Sequence, residues 1–315
     1  YVELENYKSE IQSYYQKRDR NREVVKYRLV NKNGPDHDPT FFVEALYRDE
    51  VIGKGEGKNR KSAEQEAAKA ALAKVKGSKD IPIFIPHEGC GHDCVFCNQR
   101  KITGIQSSVS PDKAKEEIAQ YLSTIKSEDC QIEIAYFGGS FTGLDMELQR
   151  EFLEAASGFK DERIIGIRMS TRPDYINKEI LEQCVEFGVK TIELGVQSAS
   201  NRVLELNRRG HVFEDVIRAA EMIKSFGIEL GLQMMLGMYG SDPETDIETC
   251  RKIIELEPKC TRIYPTLVLS GTALESLYIR GEYIPYTLET AVSTAKRCLL
   301  MFRKAGVEVI RIGLY

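Results

Sequence analysis

Cys90, Cys94 and Cys97 stand in the stretch "GCGHDCVFCNQRKITG" at a Cys-x3-Cys-x2-Cys spacing. Three thiols this close along a chain are suited to sharing a metal. Zinc asks for four tetrahedral ligands, as a rule two Cys/His pairs from separate segments. His87 or His92 could supply a fourth ligand, but no second pair follows. A [4Fe–4S] cube held by three thiolates instead keeps one iron open. An open iron is useful only where a substrate or cofactor binds it. The other five cysteines (Cys130, Cys184, Cys250, Cys260 and Cys298) are scattered without ligand spacing. They read as ordinary buried thiols, and nothing suggests secretion or a disulfide framework.

The thiols need elements to hold them. From Ile81 onward, apolar strand-like runs recur: "IPIFIPH", "IEIAYFGG", "IIGIRMS", "TIELGVQS", "ELGLQMMLG" and "RIYPTLVL". Helical stretches separate them, at 112–126, 145–158, 178–187, 212–226, 244–256 and 288–305. Strands buried on both faces and alternating with helices indicate a parallel α/β repeat. Six such repeats predict a partial (β/α)6-type barrel over residues 81–315. Chemistry in such barrels sits at the C-terminal ends of the strands. Cys90 directly follows the first strand, which puts the thiols there. Polar groups crowd the later strand ends as well: Ser170 and Arg172, Glu193 and Gln197, then Gln233. A structural ion pair inside the barrel is the alternative reading for Arg172 and Glu193, and core packing is the alternative for Met234 and Met235.

The cysteine spacing, with Phe96 just before the last thiol, resembles the signature of radical S-adenosylmethionine (SAM) enzymes. That resemblance implies a [4Fe–4S] cluster on Cys90, Cys94 and Cys97, with SAM on the open iron. It makes Gly138, Gly139 and Ser140 of "YFGGSFTG" the segment that holds the methionine amino group. Ser140 stands where that family often has Glu. Phe96, Ser170, Arg172, Glu193, Gln197 and Gln233 are further expected SAM contacts. "RIYPTLVLSGTALESLYIRGEY", "STRPDY" and "ELGVQS" resemble the elongator catalytic subunit and its bacterial relatives, which modify the wobble uridine of tRNA. "LGVQS" is shared with relatives of oxygen-independent coproporphyrinogen oxidase. The acetyltransferase segment that family carries behind its barrel is absent from the sequence.

The front of the chain differs in character. Residues 1–78 carry 16 Lys+Arg against 13 Asp+Glu, whereas the remainder carries 28 against 35. A basic front and an acidic body place any nucleic-acid contact at the front. Residues 1–76 read as helix, three strands, helix, a small α-β-β-β-α domain. "GKGEGKNRKSAEQEAAKAAL" gathers Lys58, Arg60 and Lys61 at the start of an Ala-rich helix, where backbone N–H groups and the dipole add positive potential. The whole resembles a double-stranded-RNA-binding domain, closest to the tail of ribonuclease III. The resemblance implies minor-groove contacts from Gln12 and Gln16 on the first helix and from the loop holding His37, with phosphates on Lys58, Arg60 and Lys61. Residues 77–80, within "KGSKD", are the expected linker. It feeds the first barrel strand from the end opposite the cysteines.

The resemblances together imply reductive cleavage of SAM to a 5′-deoxyadenosyl radical that takes hydrogen from a substrate. Structured RNA such as tRNA is the favoured substrate. The alternative is a non-RNA substrate, with the front domain left from a ribonuclease III whose nuclease lies upstream. A one-electron donor of flavodoxin or ferredoxin type is implied as partner, and no DNA is expected. Low cluster potentials imply a reducing cytoplasm. No run of 18 apolar residues is present, so no membrane span is expected. The chain opens on Tyr1 behind no signal-peptide pattern. It closes on "VEVIRIGLY", which reads as an unfinished strand, so both ends are expected to be cuts in a longer protein.

Overall fold

The structure is a computed structural model and describes residues 7–16, 24–35, 39–76, 79–85, 89–91, 93–98, 110–125 and 130–313. His37, His87 and His92 lie outside the described residues. The chain divides into two compact units, Tyr1–Lys79 with Lys126–Ile132, and Asp80–Ile125 with Glu133–Tyr315.

In the first unit, α1 (Tyr7–Gln16) precedes an antiparallel meander of β1 (Val25–Asn33), β2 (Thr40–Tyr47) and β3 (Glu50–Gly57). α2 (Arg60–Lys76) then covers the sheet. The glycines of "GKGEG" explain how closely it lies. A Cβ built on Gly53 or Gly55 would come within 2.2 Å of the Ala67 backbone. Ala63, Ala67 and Ala71 on α2 are fully buried on the other side of that contact. Glycines spaced by two on a strand share one face, so the Ala stripe seats directly on bare backbone. Ile11, Tyr15, Val25, Val43 and Leu72 complete the core.

In the second unit, seven strands lie side by side in chain order: β4 (Lys79–Ile85), β5 (Ile132–Gly138), β6 (Ile164–Thr171), β7 (Val189–Gln197), β8 (Glu229–Leu236), β9 (Cys260–Pro265) and β10 (Glu308–Ile312). From β6 to β10 every neighbouring pair is parallel. The helices are α3 (Pro111–Thr124), α4 (Met146–Ser157), α5 (Lys178–Glu186), α6 (Asn201–Leu206), α7 (Phe213–Ser225), α8 (Pro243–Glu255), α9 (Ala273–Ile279) and α10 (Leu288–Lys304). The open α/β half-barrel matches the expected architecture. It carries one strand more than the six repeats, because the closing "VEVIRIG" completes the sheet edge on β9. α6 and α9 are also additions, too short to show a helical period. β4 opens at Lys79, two residues before the apolar run begins.

Helix starts are set locally. Ser110, Asp145, Asn177, Ser200, Asp242, Thr272 and Thr287 each accept a backbone N–H at the first turn of α3, α4, α5, α6, α8, α9 and α10. Such caps contribute about 1 kcal/mol each and fix where each strand-to-helix loop ends. Among the described residues, no helix is long and apolar enough to cross a membrane.

The half-barrel has an ionic floor. Arg168 of β6 donates to Glu133 of β5 and, at 2.9 Å, to Glu193 of β7. Arg262 of β9 grips the same Glu193 through two nitrogens. Asp80 of β4 lies 3.8 Å from Arg168 and 3.6 Å from Arg262. Burial alone would raise the Glu193 carboxyl, but the two guanidiniums outweigh it and hold the group below the usual carboxylate range.

Candidate active site

The cysteine loop leaves β4 and presses on the segment that follows β5. A Cβ on Gly89 would meet the Ser140 carbonyl oxygen at 2.1 Å. Gly89 also has φ +78, and Gly138 at the end of β5 has φ +108. Both positions therefore need glycine, for space and for backbone shape. Cys90 Sγ lies 3.4 Å from Ser140 Oγ. The Gly91 N–H donates to Tyr175 Oη at 3.2 Å. Cys94 is buried, and its Sγ accepts from Arg209 Nη1 at 3.2 Å. The Cys97 N–H closes a turn on the Cys94 carbonyl at 3.0 Å. Val95 ties the loop on both sides, donating to the Asn207 carbonyl and accepting from the Leu274 N–H. Phe96 packs beside Val95, Leu274 and Tyr283 in a small apolar cluster.

A cleft of about 570 Å³ opens beside Cys90, lined also by Gly143, Asp174, Tyr175, Asn177 and Ile180. Arg172, at the end of β6, is 4% exposed. It donates to both Asp174 carboxylate oxygens and sits over the Tyr175 ring. His211 Nδ1 lies 4.0 Å from Asp174 Oδ1, and both its ring nitrogens are buried without a hydrogen-bond partner. Burial, with Arg209 and Arg172 nearby, pushes its pKa down to about 4. Gln197 ends β7 in a left-handed conformation at φ +66, beside a register shift against β8. Its Oε1 accepts from Gln233 Nε2 at 3.2 Å.

The expected SAM contacts thus separate. Gly138, Gly139 and Ser140 form the segment that meets the cysteine loop, through Ser140 at Cys90, and Arg172 reaches the cleft through Asp174. Gln197 and Gln233 form an amide pair at neighbouring strand ends. Ser170 is half-buried opposite Glu193 in the strand register. Glu193 itself is 3% exposed and engaged with Arg168 and Arg262 in the barrel floor. The barrel ion-pair alternative describes it, with different partners from those expected. Met234 is fully buried core. Arg209, His211, Asn207 and Tyr175 were not among the expected site residues. "NRRGH" offers no metal-ligand spacing, and the fold alone carries it under the cysteine loop.

Among the described residues, no three His, Cys, Asp or Glu groups converge closely enough to hold a metal ion, the three thiols included. The donor chemistry nevertheless fits an iron–sulfur cluster: three soft thiols on one short loop, one of them facing a buried guanidinium.

On the first unit, Lys58, Arg60 and Lys61 are all exposed at the start of α2. Asn59 and Ser62 cap that start reciprocally. Arg60 also pairs with Glu64 at 2.9 Å, and Lys8 pairs with the same carboxylate. Gln12 is half-buried, and its Oε1 accepts from the Val25 N–H at 3.0 Å, tying α1 to β1. Gln16 is half-buried.

Comparison with known proteins agrees with this arrangement. Residues 7–75 match the double-stranded RNA binding motif and residues 258–315 a radical SAM C-terminal domain. A tRNA uridine(34) acetyltransferase of Methanocaldococcus jannaschii is 28% identical over 264 residues, covering 71% of this chain and 49% of that protein. Its counterpart in Methanocaldococcus infernus is 32% identical with the same coverage. The chain therefore spans about half the length of these curated relatives. A solved structure of the M. infernus Elp3, lacking its N-terminal residues 1–46, superposes with a TM-score of 0.61 at 26% identity, covering 75% of this chain and 56% of that one. Residues 84–253, more than half of the chain and the whole stretch from cysteine loop to α8, match the radical SAM superfamily, so the chain belongs to that superfamily, whose members use a [4Fe–4S] cluster and S-adenosylmethionine.

Proposed function

We propose that this chain cleaves SAM reductively at a cluster held by Cys90, Cys94 and Cys97, and that the resulting radical modifies a nucleotide of structured RNA such as tRNA. One observation carries the reading. A unit matching the double-stranded RNA binding motif and a cysteine loop at a barrel strand end occur in one chain. The names of the relatives, tRNA uridine(34) acetyltransferases, point to the same substrate class.

When bound, the cluster supplies one electron at low potential and an open position for SAM. The protein's own residues position and exclude. Gly138 and Gly139 let backbone approach the methionine end of SAM without side-chain obstruction. Tyr175 and Asn207 hold the loop through Gly91 and Val95. The Arg172–Asp174 pair presents a fixed dipole at the cleft wall for the polar parts of SAM. The apolar cluster around Phe96 keeps water from one side of the loop. The electron comes from a flavodoxin- or ferredoxin-type donor in a reducing compartment. Lys58 and Lys61, with the first amides of α2, take RNA phosphates.

The test is anaerobic reconstitution followed by measurement of 5′-deoxyadenosine. Structured RNA is expected to stimulate its formation above a panel of small molecules. Stimulation by a small molecule with none by RNA would assign the barrel to another substrate.

A further inference from the structure

Among its described residues the half-barrel buries four arginines, Arg168, Arg172, Arg209 and Arg262, each no more than 8% exposed. A guanidinium out of water needs an anionic partner. Three of the four have carboxylates. Arg168 pairs with Glu133 and Glu193, Arg172 with Asp174, and Arg262 with Glu193. Arg209 differs. Its Nη2 donates to the Gly195 carbonyl at 2.7 Å and its Nη1 to Cys94 Sγ at 3.2 Å. Its Nε is buried without a partner. Among the described residues, no carboxylate lies within 4.0 Å of its guanidinium. Among the described residues, the one neighbour able to carry its counter-charge is the sulfur of Cys94.

The surroundings are built for this contact. Gly195 has no side chain, and a Cβ there would lie 3.2 Å from Arg209 Nη2. The same segment takes the Val95 N–H on the Asn207 carbonyl. Four of the six buried polar atoms without partners among the described residues belong to Asn207, Arg209 and His211. Unmet hydrogen-bonding capacity of this kind marks a place where a further polar group is accommodated.

We propose that Arg209 is the counter-ion of the Cys94 thiolate and sets the reduction potential of the cluster that Cys94 helps to hold. The proposal rests on Cys94 being a cluster ligand. Adding an electron makes a thiolate-bound cluster more negative. A fixed cation donating N–H to a ligand sulfur stabilises that reduced state and raises the potential. Arg209 is a positioning residue in this role, since it acts through Cys94. Its planar fork spans the β7 carbonyl and the sulfur together, which a lysine cannot do.

Potentiometric titration of the reconstituted full chain without SAM tests this, after iron is counted. Arg209→Gln is expected to keep about four irons per chain and to lower the reduced-to-oxidised ratio at the wild-type midpoint at least tenfold, a fall of about 59 mV for one electron. Arg209→Lys is expected to fall in the same direction by less. Wild-type midpoints in both variants at full iron content would overturn the proposal. So would loss of the cluster in Arg209→Gln together with a wild-type midpoint in Arg209→Lys, because Arg209 would then be scaffold alone. If the wild-type chain takes up no iron, the cluster reading fails and carries this proposal with it. The iron count separates that result from failure of the Arg209 role.

Discussion

Glu193 and His211 show how burial assigns a residue its employment. Glu193 is the hub between Arg168 and Arg262, so Glu193→Gln leaves two buried guanidiniums short of charge. Breaking a buried pair from one side costs about 3–5 kcal/mol. The urea midpoint of Glu193→Gln should drop accordingly, and Glu193→Asp should recover part of it. His211 predicts a pH effect of definite sign. Its folded pKa, about 4, lies below the ordinary histidine value of 6.5. Between those values the unfolded chain takes up a proton that the native chain refuses. Stability is therefore full above about pH 6.5 and declines as pH falls toward 4. His211→Leu should flatten that part of the stability–pH curve, measured by urea midpoints. The carboxylate-driven loss at lower pH should remain, because Glu193 titrates below the usual range. Cys90, Cys94 and Cys97 could be singled out as a candidate ligand set from spacing alone. Arg209 was not, since 112 residues separate it from Cys97 and only the order of strands joins them.

The meander and its helix make a prediction about an element. Gly55 lies under Ala67 with no room for a methyl group, the nearest contact falling on α2 backbone at 2.2 Å. Overpacking of this kind costs about 1–3 kcal/mol. Gly55→Ala should strip hydrogen-exchange protection from the amides of α2 and β3. In the sequence these glycines looked like part of a basic loop and strand. Their use as a seat for α2 depends on which residues cross them. The cysteine loop predicts the reverse. A cluster shared by three thiolates would cross-link the loop that carries them. Amides of Cys90, Cys94 and Cys97 should gain exchange protection on reconstitution and lose it when iron is chelated. Equal exchange in both forms would show a loop already closed. Helix positions were read well because the apolar strand runs and the helical stretches between them are local patterns. α6, six residues long, was too short for periodicity to reveal.

For the molecule as a whole, the question is whether the first unit serves the chemistry of the second. Lys58→Gln/Lys61→Gln should weaken duplex RNA binding and lower its salt slope by about one for each phosphate no longer neutralised. In the same variant, RNA-stimulated deoxyadenosine formation should fall while the RNA-independent rate stays. Retained stimulation with weakened duplex binding would disconnect the first unit from the substrate. The two-part organisation was plain in the sequence, where an α-β-β-β-α pattern gives way to recurrent βα units. The seventh strand was seen only as a loose end, because its partner β9 lies 43 residues before it and parallel pairing leaves no local turn signal.

What the sequence determined by itself was local. The spacing of three cysteines named a candidate ligand set, and strand and helix patterns named the folds. Each depends on residues within one turn or one strand of each other. The tertiary structure decided who answers whom across the half-barrel. It placed Arg209 against Cys94, gave Glu193 to the ionic floor, and left His211 buried beside Asp174. Those outcomes depend on charge removed from water, and removal from water follows from the packing of distant strands, which no local pattern records.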